Sequence, residues 1–303
     1  MEEKYAEKEW HTLGTDIYLQ IVGDDLKNPR IKKVFLAVED IYDRQEKIFS
    51  RFNKESELSN INSHLGKLFD SSSDILYLAK KSLEYYKESD GLFDPRILET
   101  LEKIGYDRSF SKKDFSSDEI NGILSAEEET TQLGSDLIIK DSRIKFQKRM
   151  DFSGVAKGYI TDQVADFLKL QGFQNFLIDS GGDMFAAGKN NFDNPWGIAL
   201  EGSPNENESL LKISDQAVAT SGNVRRNWRK GEKKFHHLIN PHQLNNFSFD
   251  LKSVTVIEKN VERADVWAKI LFLLGLEKGI EKAKEKKISA FFLKQNGNVI
   301  KSE

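Results

Sequence analysis

The sequence predicts an α+β fold built on mixed sheets, and three observations carry that expectation. Strand-like and helix-like segments alternate irregularly, without the steady β-α-β rhythm of a doubly wound sheet. Short apolar runs pair around turn residues as hairpins. No internal repeat runs through the 303 residues.

The elements follow in order. Leu13–Val22 alternates, with Thr15, Ile17, Leu19 and Ile21 on one face, and predicts a strand. Pro29 then opens a long helix carrying Ile31, Val34, Phe35, Val38, Ile41, Tyr42, Ile48 and Phe49 at helical spacing. Ser71 and Asp74 stand at capping-box spacing ahead of a second helix, which Gly91 can end. Residues 107–134 are polar and predict a surface excursion, with a short capped helix near Ser116–Leu124. Leu137–Ile139 and Ile144–Phe146 flank Asp141-Ser142 as a hairpin, and Gly154–Leu170 is an amphipathic helix closed by Gly172. Strands are expected at Asn175–Ile178, Trp196–Leu200, Leu210–Ile213, Ala217–Thr220 and Ser253–Ile257. Val261–Leu274 reads as an apolar helix and Glu277–Lys287 as a charged one. Ile288–Lys294 and Val299-Ile300 close the chain as a hairpin.

Composition narrows the function classes. A content of 38% hydrophobic and 31% charged residues fits a globular protein with ample core, as one large domain or two intertwined lobes. The net charge of −4 is spread through interspersed Lys and Asp/Glu, so no basic stripe argues for nucleic acid. No apolar run approaches the ~20 residues of a membrane span. With no cysteine, disulfides, thiolate metal sites, cysteine nucleophiles and a lipid-bearing cysteine are excluded. Met1–Trp10 is charged and lacks the apolar centre of a signal peptide. The expectation is a cytoplasmic protein, or an extracytoplasmic one if an export segment has been trimmed.

Candidate chemistry concentrates in a few segments. Asp151-Phe-Ser-Gly-Val-Ala-Lys-Gly-Tyr159 enters a helix through small residues, and Ser180-Gly-Gly-Asp183 is a second glycine turn. Small residues admit close backbone approach, and a helix start offers unpaired N–H groups, both suited to a pyrophosphate. The plainer reading is tight turns in an α/β protein. Ala219-Thr-Ser-Gly-Asn223 is a strand exit of the same kind, and His236-His-Leu-Ile-Asn-Pro241 sets two histidines in an apolar strand. Asp265 interrupts the apolar helix and wants a partner, with Lys269 four residues on as the simplest one. Phe52 with Ser56–Asn62, and Gly91-Leu-Phe-Asp-Pro95, join turn formers to aromatics that can stack on a flat ring.

The order of these segments resembles the ApbE family of FAD:protein FMN transferases. The series is Gly14-Thr15, Ser56-Glu57 with Asn62, Gly91 with Phe93-Asp94-Pro95, Asp151 with Ala156-Lys-Gly-Tyr159 and Asp162, Gly181-Gly-Asp183, Thr220-Ser-Gly222, His237-Leu-Ile-Asn-Pro241, and Ser253–Val256 with Ala264-Asp265. Each motif is weak alone; eight in the family's order are specific, and they run from about Leu13 to Gly275.

The resemblance implies a largely antiparallel, tunnelling-fold-like α+β architecture, with FAD in a cleft between two lobes. By motif position FAD would meet Leu13, Phe52, Phe93, Asp94, Asp151, Lys157 and Ile239. Mg²⁺ would take the carbonyl of Gly154 and the carboxylate of Asp265, and His237 holds the active-site histidine position. A threonine hydroxyl of an acceptor protein, typically a subunit of a redox-driven ion pump or a reductase, would attack the FMN-side phosphorus and release AMP, with His237 or Asp265 taking the proton. This chain departs from the family at several positions. Lys269 stands where Thr or Ser is usual as a metal ligand, and an ammonium has no lone pair to offer; it either weakens the metal site or replaces the cation. Gln243-Leu244, Val224, Arg96 and Glu99 also differ from the family pattern. These departures leave two alternatives beside the transferase: a flavin-binding protein without catalysis, and a Mg²⁺-dependent FAD pyrophosphatase.

Overall fold

The computed structural model describes residues 4–24, 26, 29–106, 131–203, 210–224, 226–230, 233–244 and 247–302. The expected helix near Ser116–Leu124, and most of the polar excursion, lie outside these residues. The described elements are β1 (Tyr5–Thr12), β2 (Thr15–Val22), α1 (Pro29–Phe49), α2 (Glu57–Asn62), β3 (Phe69–Asp70), α3 (Ser73–Glu88), a 3₁₀ turn (Pro95–Ile97), α4 (Leu98–Lys103) and α5 (Leu133–Asp136). Then come β4 (Leu137–Lys140), β5 (Arg143–Phe146), α6 (Ser153–Leu170), β6 (Phe176–Ser180), β7 (Asp183–Ala187), β8 (Trp196–Ala199), β9 (Leu210–Ile213) and β10 (Gln216–Gly222). The chain ends with β11 (Asn227–Lys230), β12 (Lys233–His236), β13 (Leu251–Glu258), α7 (Val261–Lys286), β14 (Ser289–Lys294) and β15 (Val299–Lys301).

These elements form two compact units, each discontinuous in sequence. Unit 1 comprises Met1–Glu46, Val155–Ser221 and Asp250–Glu303; unit 2 comprises Lys47–Gly154 and Gly222–Phe249.

An eight-stranded sheet in the order β1-β2-β6-β7-β10-β13-β14-β15 is the frame of unit 1. Its pairs β1–β2, β2–β6, β6–β7, β7–β10, β13–β14 and β14–β15 are antiparallel. As the alternation requires, Ile17, Leu19 and Ile21 are fully buried on one face of β2. A buried polar knot ties two helices to this sheet: the Ser180 hydroxyl of β6 lies 2.6 Å from both Tyr42 Oη of α1 and Thr161 Oγ1 of α6. The apolar α7 packs on β13, β14 and β7.

Unit 2 contains the three-stranded sheet β3-β5-β4 and the hairpin β11-β12. Leu101, Ile104, Phe235 and Ile239 form a buried core there, with Tyr106 and Trp228 packed against it.

Several expectations change in detail. β1 was not anticipated: its residues are mostly charged or polar, and it pairs along one side only, at the edge of the sheet. β3, β7 and β11 are likewise additions to the expected set, and β12 begins ahead of the strand expected over His236–Pro241. Leu13 lies outside β2, in the two-residue turn Leu13-Gly14 that joins it to β1, with φ 52°. The α3 cap is Ser72, whose hydroxyl accepts from Ile75 N, and not Ser71. The strand expected over His236–Pro241 ends at His236. The two helices expected after Val261 are one element broken at Gly275, whose φ of 74° and ψ of −174° are not helical.

Two motif glycines turn out to serve packing. A Cβ on Gly158 would stand 2.6 Å from Glu262 Cα and 2.7 Å from Val261 O, so α6 meets the backbone of α7 there. A Cβ on Gly181 would stand 1.9 Å from Thr15 Oγ1, so Gly181 leaves room for the Thr15 side chain.

Candidate active site

In unit 2 the motif residues converge on Asp151. The Asn62 side chain clamps the preceding residue at both ends, accepting from Met150 N and donating to Met150 O, each at 2.8 Å. Asp151 N donates to Pro95 O at 2.7 Å. Asp151 Oδ1 accepts from Ser153 N at 2.8 Å, an Asx turn that starts α6. Its Oδ2 lies 3.4 Å from Arg51 Nε, an ion pair in distance that lacks hydrogen-bond geometry.

Arg51 in turn backs an aromatic plate. Its guanidinium sits 4.1 Å from the Phe52 ring centroid and 4.8 Å from that of Tyr106, and donates to Tyr106 O at 3.0 Å. Phe52 is 47% exposed, so its other face can receive a flat ring. Tyr106 stacks on Trp228 and meets the half-buried His237 edge-on, at centroid separations of 6.0 Å and 6.3 Å. His237 Nδ1 is 3.4 Å from Arg226 O. Its neighbour His236 is a core residue: burial drives its pKa down to about 4, and Nε2 donates to Ser248 O at 3.1 Å.

The remaining unit 2 candidates occupy less open positions. Phe93 is buried against Tyr85, and Ile239 belongs to the core cluster. Asp94 caps the 3₁₀ turn at Arg96 N, and both its oxygens are held by the Arg96 side chain, whose Nη1 also binds Asp136 at 2.7 Å. The Arg96 departure is thus matched by a buried network. Gly154 is the second residue of α6.

In unit 1 two carboxylates and two ammoniums form a single cluster. Lys157, one turn into α6, hydrogen-bonds Oδ2 of Asp183 at the start of β7. Lys269 hydrogen-bonds Oδ1 of Asp265 one turn earlier on α7, and reaches the Asp265 main-chain carbonyl at 3.3 Å. Burial, followed by the charge of Asp183, raises the pKa of Asp265, while Lys269 and Lys157 oppose the shift. Asp265 Oδ2 is buried and has no hydrogen-bond partner among the described residues.

That oxygen speaks for a metal, but the donor set around it among the described residues does not fit a divalent ion. Mg²⁺ demands near-octahedral oxygen ligation. Among the described residues no group of three His, Asp or Glu could hold a metal. Unit charges about 4 Å apart interact by roughly 4 kcal/mol at an effective dielectric of 20. An ammonium already on the carboxylate would repel a dication with about twice that.

Arg51, Tyr106 and Trp228 carry no sequence motif, and the glycine-turn motif that contains Asp183 gives that residue no role. Only its place beside Lys157 reveals one.

With the fold and these constellations described, comparison places the chain among flavin-handling proteins. Its fold matches the apo flavinyl transferase ApbE of Pseudomonas stutzeri with a TM-score of 0.83, 25% identity, and coverage of 99% of this chain and 95% of that one. It is 26% identical to the FAD:protein FMN transferase of Haemophilus influenzae over 96% of this chain and 87% of that protein. The corresponding protein of Vibrio cholerae is 28% identical over 80% of this chain and 74% of its own length. The ApbE family model matches residues 13–292, and the chain belongs to the ApbE family.

Proposed function

We propose that this protein is an FAD:protein FMN transferase acting on a threonine hydroxyl of an acceptor protein. The observation that carries the reading is the pair of ammoniums at Lys157 and Lys269 in unit 1, in a chain matched to the family over nearly its whole length. They suit a pyrophosphate, as the exposed, guanidinium-backed Phe52 of unit 2 suits a flavin ring.

In this reaction the hydroxyl oxygen bonds to the FMN-side phosphorus. The bond from that phosphorus to the bridging oxygen breaks, and AMP leaves with that oxygen. Such a step needs alignment and neutralisation of the phosphate oxygens more than covalent help. The resemblance implies Mg²⁺ in the neutralising role; in this chain Lys157 and Lys269 carry the charge. The resemblance implies His237 or Asp265 as acceptor of the hydroxyl proton; the His237 ring is half-buried, whereas Asp265 Oδ2 has almost no accessible surface.

The test is incubation with FAD and Mg²⁺, with and without an acceptor fragment carrying a threonine, read by mass spectrometry. The expected result is the mass of FMN added to the acceptor, with one AMP released per transfer. AMP with free FMN in both samples would make water the nucleophile and the protein a pyrophosphatase. FAD bound and unchanged in both would make it a carrier.

A further inference from the structure

The charge cluster of unit 1 has a definite inside and outside. The side chains of Asp183 and Asp265 are 1% and 2% exposed, whereas those of Lys157 and Lys269 are 19% and 18% exposed. The carboxylates therefore lie beneath and the ammoniums face solvent. Among these four described side chains the two negative and two positive charges cancel. A Mg²⁺ ion approaching this cluster meets ammonium first; a phosphate approaching it meets the sign of charge it needs.

Lys269 is also fixed in place. Two of its three N–H donors point at Asp265, one to the carboxylate and one to the main-chain carbonyl. The i,i+4 spacing on α7 sets this geometry without help from elsewhere. Among the described residues the third donor meets no partner, and it and the charge can meet a ligand on the solvent side.

We propose that Lys269 is the built-in counter-ion of Asp265, so that the ammoniums of Lys157 and Lys269 meet the pyrophosphate of FAD and no divalent metal is bound at Asp265. The proposal rests on the transferase reading for the identity of the ligand. It goes further in assigning a cation that belongs to the chain, where the resemblance implies a metal.

The test compares the full-length protein with Lys269→Thr, which adds a hydroxyl donor for a metal, and Lys269→Met, which keeps the side-chain length without charge or ligand. Two quantities are read: the thermal shift produced by millimolar Mg²⁺ alone, and the FAD dissociation constant in EDTA and in Mg²⁺. For the unaltered protein, Mg²⁺ alone is expected to give no shift, and EDTA to change FAD affinity by less than about twofold. Both variants are expected to lose about tenfold in FAD affinity in EDTA, with Mg²⁺ restoring it in Lys269→Thr only.

FAD affinity of the unaltered protein that collapses in EDTA and returns with Mg²⁺ would overturn the proposal. So would equal Mg²⁺ shifts in all three proteins. If the unaltered protein binds no FAD under either condition, the transferase reading fails instead. The Mg²⁺-only shifts then still decide the lysine's role: a shift confined to Lys269→Thr supports it, and a shift in the unaltered protein refutes it.

Discussion

Gly158 has no room for a side chain. Its virtual Cβ meets the backbone of α7 at three atoms, between 2.6 and 2.8 Å away. Backbone cannot rotate aside as a side-chain tip can. Alanine in a helix gains about 1 kcal/mol over glycine in intrinsic propensity, but overpacking typically costs about 1–3 kcal/mol. With three contacts this short, the clash is expected to win. Gly158→Ala is therefore expected to lower stability by up to about 2 kcal/mol in thermal or denaturant unfolding. An unchanged or raised midpoint would show that α6 and α7 can separate at no cost.

α7 illustrates how an element is placed before its chemistry can operate. Its first turn leaves backbone N–H groups without helical partners. Asn260 accepts from Arg263 N at 3.1 Å, and Asp162 on α6 accepts from Val261 N and Glu262 N at 2.8 and 2.9 Å. The family motif position at Asp162 is thus a cap supplied by a neighbouring helix, and it holds the end of α7 that presents Asp265 and Lys269. Burial lifts the Asp162 pKa to about 7 despite those two bonds. Asp162→Ala strips an acceptor from two N–H groups and is expected to cost roughly 1–3 kcal/mol. Asp162→Asn keeps one acceptor oxygen and is expected to cost less. Equal losses for the two, measured by denaturant midpoints, would show that capping is not what Asp162 contributes.

For the whole molecule, the pH dependence of stability carries two opposed signals. His236 has its folded pKa depressed to about 4 by burial. At neutral pH it is uncharged folded or unfolded; as pH falls below about 6.5, the unfolded chain takes up a proton that the folded one resists. That contribution is present above about 6.5 and is lost by about 4, an effect of roughly 3 kcal/mol. Asp162, with its pKa raised, acts in the reverse direction over much of the same window, so the total curve is flattened. The informative quantity is the difference between the unaltered protein and His236→Asn. That stability gap is expected to shrink by roughly 3 kcal/mol between pH 7 and pH 4. A gap independent of pH would mean that His236 titrates normally in the fold.

At this scale the helices were largely legible in advance, because periodic apolar residues signal a buried face wherever that face packs. The long α1, the amphipathic α6 and the change of character at Gly275 all followed from spacing alone. β1 did not, since an edge strand is stabilised by backbone pairing while its side chains stay polar. Arg51 was equally silent in the letters. Its importance comes from the rings of Phe52 and Tyr106, and Tyr106 is 55 residues away along the chain.

The order of motifs pointed to the family to which the match over residues 13–292 assigns the chain. The resemblance also set Lys269 where the family pattern would lead one to expect Thr or Ser. What lies beneath and what faces solvent had to come from packing. The i,i+4 rule brings Lys269 to Asp265, but Lys157 finds Asp183, 26 residues on, only in the folded chain. Exposure, which leaves two ammoniums outermost, is a property of the packed chain that no linear pattern contains.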